Sequence, residues 1–275
     1  MAGKKERQRK LARERYARQQ ARRAQRVQRS RQVTLITVAA LVIAGLGVGG
    51  FFVFGQPGST RSAAASATAT PTSAASATAS PTPVAEPAKS CSYLASGTAS
   101  RKVGMPPAKP DYKASYQATI RTNRGDVVVD LLNSKATCTV NSFVYLAGKD
   151  FFNNTSCHRL TTSGFYVLQC GDPTGTGSGT PGYGFGNENL AGARYTQGTV
   201  AMAHTSAPNS NGSQFFIVYR NSTTLPADYT PFGTVVKGLG IIQNVAKAGS
   251  DNANGPGDGH PKEKVVIESV TIKKT

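Results

Sequence analysis

The sequence predicts a β-rich fold: a closed barrel of about eight strands capped by two helices, preceded by a single transmembrane helix and a disordered linker. Three observations predict it. The last ~160 residues break into short segments of alternating apolar residues, and only two segments carry a helical period. Two helices cannot cover both faces of an open eight-stranded sheet, so closure is the economical way to bury it. The N-terminal part changes composition twice, from strongly basic to uncharged apolar to Ala/Ser/Thr/Pro-rich.

Residues 1–32 hold 13 of the chain's 32 Lys and Arg against only Glu6 and Glu14, so most of the net charge of +18 belongs to this head. Residues 33–54, "VTLITVAALVIAGLGVGGFFVF", carry no charge. As a helix they would span about 33 Å, enough for a ~30 Å hydrocarbon core. The excess of basic residues just before the run places the N-terminus in the cytoplasm and everything after Phe54 outside. A cleaved signal peptide competes with this reading, because Ala65 to Ala67 form an acceptable cleavage site; the apolar run is longer than a ~7–15-residue signal core. With a membrane helix behind it, the basic head points to anionic lipid and not to nucleic acid.

Residues 55–112 are poor in large apolar side chains, as in "SAAASATATPTSAASATASPTPVAEP", and are expected to be a mobile tether. The folded domain is expected over 113–275. Its first hairpin is "YQATIRTNRGDVVVDLL", turning at Asn123-Arg124-Gly125, where glycine supplies a positive φ. "TCTVNSFVYLAGKD" places Val140, Phe143, Val144 and Ala147 at helical spacing, with Thr137 or Thr139 as N-cap and Gly148 at the end. A second hairpin, "SCHRLTTSGFYVLQCGD", follows. The strands "GTVAMAH", "SQFFIVY" and "PFGTVV", the helix "LGIIQNVAKA" and the strand "KVVIESVTIK" complete the set. The long loop "GDPTGTGSGTPGYGFGNENLAGARY" is of a length usually reserved for function.

Several chemistries are disfavoured by the residues available. The histidines are His158, His204 and His260, and no GxSxG elbow offers a nucleophile to any of them. "GTGSGTPGYGFG" lacks the GK[ST] ending of a phosphate loop. The cysteines are Cys91, Cys138, Cys157 and Cys170, all after the apolar run. An oxidising exterior permits disulfides in any of three connectivities, with four buried thiols as the alternative. No CxxC or histidine spacing suggests a metal, and no cofactor is expected. What remains is uncharged polar groups, Gln169 and Gln214, set in apolar runs beside Phe216 and near one arginine, Arg159. Such a surface can grip peptide amides and hold an apolar ring. Strand-edge capping is an equally good account of the glutamines taken alone.

"CHRLTTSGFYVLQCGDPTGTG", "MAHTSAPNSNGSQFFIVY" and "LPADYTPFGTVVKGL" together resemble the cyclophilin family of peptidyl-prolyl isomerases, over roughly Tyr116 to Ile272. The form that looks most similar is the bacterial, envelope-anchored one. The resemblance implies an eight-stranded barrel with two helices, proline-containing polypeptides as partners, and isomerisation of X–Pro bonds in exported or cell-envelope proteins. It implies that Arg159 is catalytic and that Gln169 and Gln214 grip the peptide backbone. Phe216 with Leu225 would floor the proline pocket, and Tyr166-Val167 and Ala203-His204 would line it. Gly175 would belong to a neighbouring subsite. Two family positions differ: the usual tryptophan is Thr224, and the usual rim histidine is Tyr229. Loss of the tryptophan implies weak cyclosporin binding. These changes also keep open a catalytically weak proline-peptide binding module or holdase. Finally, Cys157 and Cys170 lie at nearly equal distances from the TTSG turn, which predicts a Cys157–Cys170 disulfide and leaves Cys91 to pair with Cys138.

Overall fold

The computed structural model describes residues 86–275. The basic segment 1–32, the expected membrane helix 33–54 and the first part of the linker lie outside the described residues. Among the described residues no helix is long and apolar enough to cross a membrane. The described residues form twelve strands and two helices: β1 (Leu94–Ala95), β2 (Tyr116–Thr122), β3 (Gly125–Leu131), α1 (Thr137–Ala147), β4 (Thr155–Ser156), β5 (Arg159–Thr161), β6 (Val167–Cys170), β7 (Tyr183–Gly184), β8 (Thr199–Met202), β9 (Phe215–Val218), β10 (Pro231–Lys237), α2 (Leu239–Ala248), β11 (Asp258–Gly259) and β12 (Val266–Lys274). All the segments expected to be strands are strands. The opening hairpin turns where expected, with Thr122 opposite Gly125 and Gly125 at φ 120°.

The main sheet has ten strands, in the order β11-β5-β6-β9-β8-β10-β3-β2-β12-β4, where eight were expected. The difference has a simple cause. Residues 155–161 form one kinked run, interrupted at Cys157 and His158. The Cys157 N–H still donates to Val265 O near β12 (2.9 Å), while the next residue's N–H, from His158, donates to Gln169 O on β6 (3.1 Å). One stretch of chain thus borders both ends of the strand order, and the sheet curls round to meet itself. The other addition is β11, two residues paired with β5.

The concave side of the curl holds the main core. Ile120, Val127, Val129, Leu160, Leu168, Phe215, Ile217 and Phe232 are buried there, with Phe143 and Leu146 of α1 and Ile242 and Val245 of α2 packed over them. α2 forms over the expected residues, and Gly238 before it is required: it sits at φ 87°, and a Cβ there would lie 2.2 Å from Asp126 O.

Two expectations are corrected. The first is the cap of α1. Neither Thr137 nor Thr139 caps it: residue Ala136 holds the cap position, and Thr137 Oγ1 instead donates to Asn133 O (2.7 Å). The acceptor comes from 49 residues away, where the Glu188 carboxylate takes Thr139 N–H (2.7 Å), Cys138 N–H (3.0 Å) and the Thr139 hydroxyl (2.7 Å). A carboxylate at a helix N-terminus satisfies orphan amides and complements the helix dipole.

The second correction is the boundary at 113. Residues 86–112 lack strand or helical periodicity, yet they pack on the domain as an N-terminal arm. β1 pairs antiparallel with β7, Tyr93 donates to Cys138 O (2.7 Å), and Arg101 donates to Asp150 O and Phe151 O. The Cys91–Cys138 disulfide joins the arm to the first turn of α1. Cys157–Cys170 is the second disulfide, with Cα atoms 4.0 Å apart. Both pairings agree with the sequence-based expectation.

Candidate active site

Strand alternation builds the site. Where Leu160, Leu168, Cys170, Phe215 and Ile217 face the core, their neighbours Arg159, Val167, Gln169, Phe216 and Val218 face the opposite, convex side. Register then aligns them: Arg159 lies opposite Gln169, Gln169 opposite Phe216, and Phe216 opposite Ala201, one row across β5, β6, β9 and β8. Directly opposed residues share a face. Because this face carries a site, these central strands are apolar on both sides. A second apolar cluster sits here, of Val167, Tyr195, Ala201, Phe216 and Val218, flanked by Phe165, Ala203, Leu225 and Tyr229.

Above the row is a cavity of about 370 Å³. Phe216 and Val167 form its buried floor, Leu225, Phe165 and Tyr229 its walls, and Arg159, Gln169, Ala203 and His204 its polar edge. Tyr229 packs edge-on to Phe216, with centroids 5.4 Å apart, and its backbone is fixed by Tyr195, whose hydroxyl accepts from Tyr229 N–H (2.7 Å) and donates to Tyr229 O (2.8 Å).

Arg159 is held, not free. Its Nε donates to Asp258 Oδ1 (2.8 Å) and its Nη2 to Asp258 Oδ2 (2.6 Å), while the guanidinium carbon lies 5.6 Å from the Phe165 ring centre. This bidentate pair leaves the Nη1 donors for another acceptor. The hydrogen bonds from Arg159 hold the Asp258 carboxyl below its ordinary range, and the same bonds raise Arg159 further. The glutamines form a relay: Gln169 Nε2 donates to Gln214 Oε1 (2.9 Å), and Gln214 Nε2 donates to Gly177 O and Gly179 O (both 3.0 Å).

That loop is itself anchored by Asp172, which is fully buried. Burial alone would raise its carboxyl, but backbone N–H donors led by Gly179, with Thr174, keep it below the ordinary value. His158, next to the arginine and 7 % exposed, has neither ring nitrogen hydrogen-bonded, and burial pushes its pKa down. His204 bridges two backbone carbonyls, with Nδ1 2.7 Å from Thr205 O and Nε2 2.9 Å from Asp228 O. His260 is a surface histidine paired with Asp251, in keeping with its loop position.

Most expected residues converge, but two do not. Tyr166 turns away, packing on Tyr219 and against Arg220, whose guanidinium carbon is 3.4 Å from its ring centre. Phe165 takes the place at the cavity, because strand alternation from Val167 and Gln169 puts Tyr166 on the other side. Gly175 lies in a turn closed by its N–H to Asp172 O (3.1 Å) and does not line the cavity above the row; Gly177 and Gly179 border the space beside it instead. Sequence reasoning also missed Asp258. "NGPGDGHPK" looks like solvated loop, and nothing local reveals that its aspartate pairs with a strand 99 residues earlier. Among the described residues no cluster suited to a metal is present.

Residues 117–272 match the family described as "Cyclophilin type peptidyl-prolyl cis-trans isomerase/CLD". The chain is 44% identical over 200 residues to a protein named "Probable peptidyl-prolyl cis-trans isomerase B" of Mycobacterium leprae, covering 66% of each chain. A protein of the same name from Mycobacterium tuberculosis is 45% identical over 185 residues, covering 62% of this chain and 58% of that one. The matches thus span less than two thirds of these curated relatives. A solved cyclophilin-type peptidyl-prolyl cis-trans isomerase of Cryptosporidium parvum is similar at TM-score 0.52 and 30% identity, covering 58% of this chain and 99% of that one. A second structure of that protein was determined in the presence of the dipeptide Ala-Pro and matches at TM-score 0.51. With residues 117–272 matched by the family, and Arg159, Gln169 and Phe216 aligned in one cross-strand row, this chain belongs to the cyclophilin-type peptidyl-prolyl cis-trans isomerases.

Proposed function

We propose that the domain catalyses cis-trans isomerisation of X–Pro bonds, with the proline ring in the 370 Å³ cavity on Phe216 and Val167. The observation that carries this reading is Arg159, oriented by Asp258 at the rim of an apolar floor. The X–Pro bond resists rotation by about 18–20 kcal/mol because the amide nitrogen shares its lone pair with the carbonyl. At the twisted midpoint the pair returns to nitrogen, so a donor aimed there stabilises the transition state more than the ground state. Arg159 can serve without titrating, and no covalent step is needed. One charged hydrogen bond of ~1.5–3 kcal/mol supplies only ~10–150-fold. The remainder falls to the preorganised floor and to Gln169 and Gln214, which hold the peptide. A protease-coupled assay of the full chain tests this: Arg159→Ala is expected to lose about 100-fold or more of turnover while keeping its circular dichroism. Near-normal turnover would sink the assignment.

The basic 1–32 segment and apolar 33–54 segment support a membrane-anchored protein with the domain outside the cytoplasm, acting in the folding of exported or cell-envelope chains. Two paired disulfides fit an oxidising compartment. A second reading, a proline-peptide binding module with slow turnover, draws support from the rim, where exposed Thr224 donates to Gly164 O and offers little apolar area. The same rim predicts weak cyclosporin binding. Tight peptide binding without faster cis-trans exchange would favour the module.

A further inference from the structure

Beside the proline cavity lies a second groove of about 490 Å³. The two share Gln169, Ala203 and His204 in their walls, so they adjoin. The far wall of the groove is not supplied by the barrel. It is Ser96 and Gly97 of the N-terminal arm, facing the 177–180 loop.

The arm is built into that wall. Ser96 N–H donates to Gly182 O (3.0 Å), Ser100 N–H to Thr180 O (2.8 Å), and Thr180 N–H to Ser100 Oγ (3.0 Å). The approach is close enough that a Cβ on Gly182 would come within 2.9 Å of Ala99 Cβ. Through Thr180 the arm also braces the loop whose Gly177 and Gly179 carbonyls hold Gln214. Cys91–Cys138 fixes the start of the arm. No Asp, Glu, Lys or Arg lines the groove; its surface is glycine backbone, hydroxyls and amides together with Ala203, Ala207, Pro208, Tyr183 and the His204 imidazole, whose ring nitrogens both face backbone carbonyls.

We propose that the arm is a specificity element, and that Ser96 and Gly97 read the side chain flanking the X–Pro pair, accepting small uncharged residues. This rests on the isomerase-site reading of the adjoining cavity. An ammonium entering the groove would lose hydration with no carboxylate to meet it, and a carboxylate would find no Lys or Arg, only an imidazole already held by two backbone carbonyls. A hydroxyl or amide would find partners.

Binding is the decisive readout because it is separable from turnover. Fluorescent peptides sharing one Ala-Pro pair, with Gly, Ser or Glu at the next positions on either side, are titrated into the full chain. The Ser peptide is expected to bind about tenfold more tightly than the Glu peptide on one side only. Ser96→Trp fills the groove and should weaken the Ser peptide by about tenfold and the Gly peptide by no more than about twofold. A Cys91→Ser/Cys138→Ser variant, which frees the arm without touching the groove, should narrow the Ser-to-Glu spread. Equal weakening of all peptides by Ser96→Trp, or an unchanged spread in the cysteine variant, would overturn the proposal. Selective binding without catalysed exchange would count against the isomerase reading alone.

Discussion

Asp258 does for Arg159 what no residue near it in sequence could do. By gripping Nε and Nη2 it fixes the plane of the guanidinium before substrate arrives. Asp258→Asn is expected to lower kcat about tenfold with KM within about twofold, since an amide meets only part of the fork. The pair sets an acid limit too. A depressed carboxyl contributes stability that is complete above its ordinary pKa and is lost as pH falls through the folded value, so this contact stays intact across the neutral range. His158 works in the same direction for a different reason. Burial lowers its pKa from 6.5, so the unfolded chain takes up the proton first. Stability should therefore decline as pH falls from about 6.5 towards the folded value. Denaturant titrations at pH 7.5 and 5 should show that His158→Asn has a shallower loss than the parent. Arg159, Gln169 and Gln214 stood out as polar residues in apolar runs, but it was the resemblance to cyclophilins that gave them roles, since strand-edge capping accounts for the glutamines equally well. Asp258 was not, because a turn-rich loop carries no mark of its distant partner.

At the scale of elements, hydrophobic alternation located every long strand but could not say which face was functional. "SQFFIV" and "YVLQC" are apolar at consecutive positions, which reads as full burial. The structure shows two apolar faces with different duties, core for Phe215 and Ile217 and binding floor for Phe216. Strands of two residues, such as β4 and β11, have too little length to show any period. The start of α1 was misread for a related reason: threonine is a common cap, whereas its actual cap, Glu188, lies in a loop. Glu188→Ala should cost about 1–2 kcal/mol, seen as a thermal midpoint lower by roughly 2–8 °C. An unchanged midpoint would show that water replaces the carboxylate.

For the whole molecule, the two disulfides close loops of different reach, with sequence separations of 13 and 47. Loop-closure arithmetic gives roughly 3 kcal/mol for the shorter and about 4 kcal/mol for the longer. Reductant should therefore lower the denaturation midpoint substantially, and Cys157→Ser/Cys170→Ser should reproduce the smaller share. The sequence led to both pairings but not to the arm that one of them secures, since 86–112 shares the small-residue composition of the tether before it. Its order comes from contacts with the domain, which composition does not record.

The strand order that curls round to meet itself has a further consequence. A protein that handles extended polypeptides risks capturing them along an open sheet edge, where bare amides and carbonyls add a strand regardless of sequence. Here the terminal strands of the main sheet, β11 and β4, are two residues each. An incoming chain finds no rail to zip along, and only the face bearing Arg159 is left to choose what stays.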